Sequence, residues 1–131
     1  MFRKQTISLP DGPVEYPSGM CVRANGTHYY INGAFKHPVT SPRILLSWSF
    51  PRIIETSDEA LAKYVTTKKL GFRDGTLVKN LHDGRLYFIS KGLKRPVTNP
   101  DALASMGLGS KDAILISLEE SSLHKIGEVL K

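Results

Sequence analysis

A single cysteine, Cys21, stands in a chain of 131 residues. One thiol cannot close an internal disulfide, which excludes the framework of a cysteine-stapled secreted domain. It also leaves no CxxC pair for a metal or for redox chemistry. Cys21 lies in the apolar stretch MCVRA, where a buried structural thiol is expected rather than a nucleophile. Long apolar runs are missing as well. No stretch approaches the roughly 18 apolar residues of a membrane helix, so no membrane insertion is expected. The opening segment, MFRKQTISLPDGPVEYP, has a basic start but lacks the apolar run of a signal peptide. The chain is therefore expected to be made in the cytoplasm and to remain there or leave by lysis.

Groupings that carry catalysis are absent too. Four histidines (His28, His37, His82 and His124) are spread without metal-ligand spacing. Asp11, Asp74 and Asp83 each precede a glycine, as turn residues do, and Asp58, Glu59, Glu119 and Glu120 fall in expected first turns of helices. GLGSKD, Gly107 to Asp112, follows a helix and lacks the full spacing of a phosphate loop. No catalytic residue, metal site or cofactor is expected.

What is present is an ordinary globular composition, 40% hydrophobic and 23% charged, with net charge +6 and a pI near 9.6. The basic balance permits an anionic partner without requiring one. A displacement of 58 residues (87 − 29) lays YYINGAFKHPVTSP, Tyr29 to Pro42, on YFISKGLKRPVTNP, Tyr87 to Pro100, without a gap. Seven of these fourteen positions are identical: Tyr29/Tyr87, Ile31/Ile89, Lys36/Lys94, Pro38/Pro96, Val39/Val97, Thr40/Thr98 and Pro42/Pro100. Chance leaves about one, so the chain reads as an internal duplication. GMCVRANG upstream matches GTLVKNLHDG, and RIIETSDEALAKY downstream loosely matches AILISLEESSLHKI. The expected organisation is an N-terminal extension at 1–16, a divergent first unit at 17–72 and a second unit at 73–131.

Each unit reads as a short antiparallel three-stranded meander followed by two short helices, an α+β fold of two tandem repeats. MCVRA and TLVKNL are first strands, and THYYI and RLYFIS are second strands. Asn25-Gly26 and Asp83-Gly84 are read as the tight turns between them, since type I′ turns need positive φ. FKHPV and LKRPV are third strands that proline confines to an edge or ends. Ser41-Pro42 and Asn99-Pro100 supply helix caps followed by proline at the first helical position. The helices RILLSWSF and DALASMGL follow, the second closed by Gly107 and Gly109. Second helices are expected from capping boxes at Thr56…Glu59 and Ser117…Glu120. Their apolar faces would be Leu61, Tyr64 and Val65, and Leu123, Ile126 and Val129. Trp48 and Phe50 are expected in the core.

The stretch GTLVKNLHDGRLYFISKGLKRPVTNPDALASMGL, Gly75 to Leu108, resembles a repeat of bacterial secreted, cell-surface and phage proteins. In that family a GTLVK-type strand leads to YLI, a GKKR turn, Ile-Pro or Val-Pro, and a short helix with an LG end. The matching positions here are Gly75, Leu77, Val78, Tyr87, Ile89, Gly92, Lys94, Arg95, Pro96 and Gly107. The first unit departs from it at Ala34, His37 and Ser49. The resemblance implies a stacked, non-enzymatic surface module with no catalytic residue to carry over. For two units without a signal, it implies a bacteriophage virion component of a tail, baseplate, fibre or capsid decoration. The partners would then be other virion or surface proteins in a symmetric assembly.

Candidate partner-binding residues are the cations: Lys91, Lys94 and Arg95 at one hairpin, Lys36 and His37 at the equivalent one, and Lys68, Lys69 and Arg73 where the units join. They suit an anionic cell-wall polymer as the second reading. Interleaved with Tyr29, Tyr30, Tyr87 and Phe88, they suit nucleic acid as a third. Strand alternation disfavours the third, because Tyr87 and Phe88 face opposite ways and one ring must enter the core. A structural use is also open: a long cation can lay its stem over an aromatic ring on the adjoining strand.

Overall fold

The computed structural model describes residues 9–131. QTISLP (5–10), which reads in the sequence as a possible strand, lies mostly outside the described residues. The chain is mixed α/β, with two small sheets and few helices. It divides into two compact units: one runs up to Thr40 and includes Phe50–Lys69, and the other comprises Ser41–Ser49 with Leu70–Lys131.

The first unit holds strands β1 (Cys21–Ala24), β2 (Thr27–Asn32), β3 (Phe35–Val39), β4 (Ile53–Thr56) and β5 (Val65–Thr66), ordered β4-β1-β2-β3-β5. The β1–β2 turn has positive φ at both Asn25 (51°) and Gly26 (83°), as Asn-Gly requires. Alternation puts Val22 and Ala24 on the core face of β1, with Ile31 and Leu61, and Tyr16, Tyr29, Ile54 and Tyr64 pack around them. Cys21 is fully buried, and burial pushes its thiol up to about 11.

Two expectations for this unit are corrected. Ile53-Ile54 belongs to a fourth strand, parallel to β1 in the register Cys21↔Ile53 to Ala24↔Thr56. Two apolar residues carry too little periodicity to reveal it. The second helix does not form either. Thr56 ends β4 and its Oγ1 is 2.6 Å from Tyr16 OH, so the cap passes to Ser57, whose Oγ accepts from Ala60 N at 3.1 Å. The stretch to Tyr64 is a chain of turns, such as Leu61 N to Ser57 O (3.2 Å), before Val65 pairs with Phe35 in β5. Only about two helical turns would fit between those strands.

The second unit holds helix α1 (Pro42–Trp48), strands β6 (Leu77–Asn80), β7 (Leu86–Ser90) and β8 (Leu93–Pro96), and helix α2 (Pro100–Ala104). A 3₁₀ turn (Ser110–Asp112), strand β9 (Ile114–Ile116) and helix α3 (Leu118–Ser121) complete it. Its sheet order is β8-β7-β6-β9, with β9 parallel to β6. Here too the apolar run before the last helix forms a strand beyond the three expected. Ser41 and Asn99 cap as expected, accepting from Arg43 N (3.2 Å) and Asp101 N (3.0 Å). Leu77, Ala102, Leu103 and Leu130 form the core, with Leu86, Phe88, Val97, Leu108 and Ala113 packed on it.

The Asp83-Gly84 turn is not a two-residue one. Leu81 and His82 lengthen it, only Gly84 has positive φ (72°), and Asp83 Oδ1 accepts from Arg85 N at 2.9 Å. The tight turn in this sheet is Lys91-Gly92, with φ of 52° and 75°. The Ser117–Glu120 capping box is present, but α3 stops at Ser121. Beyond it Ile126 pairs with Lys94, and Gly127 N donates to Lys94 O at 2.9 Å. Strand pairing has overridden the helical spacing, which leaves Ile126 and Val129 exposed.

Candidate interaction site at the basic strand ends

Third strands in both sheets carry a basic pair before proline, and the registers fix where those side chains go. Tyr29 faces Pro38 and Tyr87 faces Pro96, so Lys36 and Lys94 sit diagonally from the rings on the same face. Lys36 Nζ lies 4.9 Å from the Tyr29 ring centroid, and Lys94 Nζ lies 5.3 Å from that of Tyr87. Both distances are those of cation–π pairs. Lys94 Nζ also donates to Ser121 O (3.1 Å) and Ser121 Oγ (2.9 Å). Desolvation holds the Lys94 ammonium below the usual lysine value, with the charge of Asp83 acting in the opposite sense.

The second member of each pair reaches a backbone carbonyl. His37 Nδ1 lies 2.9 Å from Lys68 O, so that nitrogen carries the proton. Arg95 donates from Nε to Glu128 O (3.1 Å) and from Nη2 to Val129 O (3.3 Å). The backbone joins in: Lys36 O accepts from Thr67 N (3.1 Å), as Lys94 O does from Gly127 N. In each unit the basic pair thus straps down the segment that follows the last turns or helix. Pro38 lies beyond the β3 residues that pair with β5, and Pro96 ends β8, so neither removes a needed ladder donor.

The other candidate cations are exposed and form no ion pair among the described residues. Lys68 and Lys69 belong to the first unit, and Arg73 and Lys91 belong to the second. Tyr87 is buried while Phe88 is half-buried against the core, so neither ring is a free stacking platform.

Two constellations in the second unit bring together residues that no single sequence motif connects. His124 is 5% exposed; its Nε2 accepts from Phe72 N (2.9 Å) and its Nδ1 donates to Gly92 O (2.7 Å). Its ring stacks on Phe72, and a Cβ on Gly71 would lie 2.5 Å from its Cε1. Burial, helped by the Lys94 charge, pushes its pKa below 6.5 against the opposing Gly92 bond and Asp74 charge. Glu120 is also buried. Ser41 Oγ hydrogen-bonds to its Oε2, and Arg43 Nη1 donates to its Oε1 at 3.2 Å. Burial raises the Glu120 pKa, but the bonds from Ser117 and Ser41 and the Arg43 charge together hold it below 4.5. Trp48, expected in the core, is half-buried and donates from Nε1 to Gly71 O at 2.8 Å.

Lys94 and Ser121 have the contact distance of a serine–lysine dyad. Ser121 is 1% exposed, however, and offers a substrate carbonyl no approach. Among the described residues no group of three or more His, Cys, Asp or Glu side chains is placed to hold a metal, and no helix is long and apolar enough to cross a membrane. An open cleft of about 440 Å³ lies in the first unit beside Glu15, between Val14, Ala34, Lys63 and Tyr64. The chain matches no known family model, no curated protein and no solved structure.

Proposed function

We propose that this protein is a non-enzymatic structural or adhesive protein, a small bacteriophage virion component built from two tandem units. The observation that carries the reading is where the basic pairs are spent. Lys94, Arg95 and His37 bond to their own chain, and Lys36 rests on Tyr29. A motif that anchors its own scaffold twice, beside a serine closed to substrate, fits a module whose task is shape. The matching strand orders, together with paired bonds such as Thr67 N to Lys36 O and Gly127 N to Lys94 O, support the tandem-unit part. Mass spectrometry of gradient-purified particles from the producing culture tests it. Peptides of this chain should track the particle band at stoichiometric abundance, and their absence from that band refutes the reading.

The exposed cations Lys91 and Arg73, with Lys68 and Lys69, favour one second reading, a binder of an anionic wall polymer. It predicts that the chain pellets with isolated cell walls and is released as salt screens the charges. Lys91→Glu with Arg73→Glu should abolish pelleting.

A further inference from the structure

Helices α1 and α2 begin 58 residues apart (100 − 42) and share Leu45/Leu103 and Ser47/Ser105. Each serine donates to the carbonyl three residues back, Ser47 Oγ to Ile44 O (2.7 Å) and Ser105 Oγ to Ala102 O (2.9 Å). Their outer faces differ in what they meet. Four positions hold α1 on the second unit: Ser41 and Arg43 at Glu120, Ser47 accepting from Arg73 N (3.2 Å), and Trp48 donating to Gly71 O. The same positions of α2 are Asn99, Asp101, Ser105 and Met106, and all are exposed, Met106 by 42%. Neither Asp101 nor Met106 has a side-chain hydrogen bond or ion pair among the described residues.

The first unit carries the counterpart of the surface that receives α1. Tyr16 N donates to Tyr64 OH (2.6 Å) as Phe72 N does to His124, and Ser57 caps Ala60 N as Ser117 caps Glu120 N. Glu15 therefore stands for Gly71, and Ala60 for Glu120. The cleft opens beside Glu15, so the seat Trp48 takes on the second unit has an open counterpart on the first. The Ala60 side is covered by the chain itself: Val14 N donates to Ala60 O (2.9 Å), and Ser57 Oγ donates to Pro10 O (2.7 Å).

We propose that α2 of one copy docks on the first unit of a second copy, Met106 entering the cleft beside Glu15, and that residues 10–13 limit this association. The inference rests on the tandem-unit reading and is independent of whether the protein resides in a particle. Charge selects the occupant. On another second unit, Asp101 would meet the carboxylate of Glu120, a like charge where α1 offers Arg43. On the first unit the counterpart is the uncharged Ala60, so that like-charge contact is absent, and the cleft carries Lys63 as well as Glu15. Such a contact is heterologous, so it propagates head to tail. The covering segment then plays the part of a terminal cap.

Analytical ultracentrifugation of the full chain and of a chain lacking residues 1–13 tests this. At a concentration where the full chain sediments as monomer, the shortened chain should form dimers and longer species. Ser105→Arg with Met106→Glu should return it to monomer, and Leu115→Glu on β9 should not. A shortened chain that melts cooperatively yet stays monomeric overturns the proposal, as does assembly indifferent to the α2 substitutions. A second measurement uses full-length protein and so does not depend on the deletion folding. Size-tagged Met106→Cys mixed with Glu15→Cys should oxidise to a heterodimer, and Leu115→Cys mixed with Glu15→Cys should not. Failure of the first pair to cross-link overturns the proposal, whereas particle mass spectrometry alone bears on the virion reading.

Discussion

Gly71→Ala should destabilise the second unit through one contact. A Cβ there would lie 2.5 Å from His124 Cε1 and 2.6 Å from Nε2, about 1 Å inside ordinary contact. The ring cannot drift aside, because Phe72 N–H and Gly92 C=O hold it at 2.9 and 2.7 Å. Overpacking of this kind costs about 1–3 kcal/mol. His124→Ala should cost more, roughly 3–5 kcal/mol, since it removes a buried ring and orphans two backbone groups worth about 1–3 kcal/mol each. The double variant separates this clash from a general intolerance of side chains at residue 71. With the ring gone the methyl has room, so the pair should be less destabilising than the sum by nearly the whole Gly71→Ala cost. Urea unfolding followed by fluorescence of Trp48 is the assay. It is the only tryptophan, and its Nε1 donates to Gly71 O, so it reports on this part of the second unit. Additive effects within about 0.5 kcal/mol would refute the reasoning.

Acid should act in two stages. His124 is held neutral, so between its lowered folded pKa and 6.5 the unfolded chain binds the extra proton; stability is full above 6.5 and falls as pH drops below it. Glu120 contributes stability above 4.5 that is lost as pH falls through its lower folded value; urea midpoints against pH should show both steps, and Glu120→Gln should remove only the second. Arg95→Ala should cost roughly 1–2 kcal/mol and speed hydrogen exchange at Leu130 N, which donates to Pro96 O at 2.9 Å within the strapped segment. Cys21, buried with its thiol raised to about 11, should resist maleimide at pH 7.5 until denaturant is added; labelling of the native chain at the rate of a free thiol would contradict its placement.

The parts of the fold legible in the sequence were those fixed by short-range chemistry. Asn25-Gly26, Ser41-Pro42, Asn99-Pro100 and the Ser117–Glu120 box each force a local geometry, and each is found where the residues place it. The parts that were not legible depend on pairing at a distance. β4 and β9 are four and three residues long and take their place from parallel pairing with β1 and β6, which no local periodicity announces. The same competition ends α3 early, because Lys94 pairs with Ile126 although the spacing of Leu123, Ile126 and Val129 suits a helix. His124 was invisible for a related reason: its partners are two backbone groups, at Phe72 and Gly92, and backbone leaves no mark in the sequence.

Retention of a cation before proline in both sheets invites a ligand, but the geometry gives each member a separate internal task. The first lies over the tyrosine of the neighbouring strand, an arrangement that needs a cation on a long stem. The second needs only an N–H donor aimed at a carbonyl, and histidine and arginine both provide one, to Lys68 O and Glu128 O. A long-stemmed cation therefore stands at both Lys36 and Lys94, while His37 and Arg95 differ. A shared polyanion would select for charge at both positions and for full exposure of all four heads. The exposure condition fails, because Lys94 is half-buried and already bonded to Ser121. The pair is better understood as a clamp that closes each small sheet over its own following segment. Recognition of any partner is then left to faces such as α2, whose counterpart positions on α1 are already engaged.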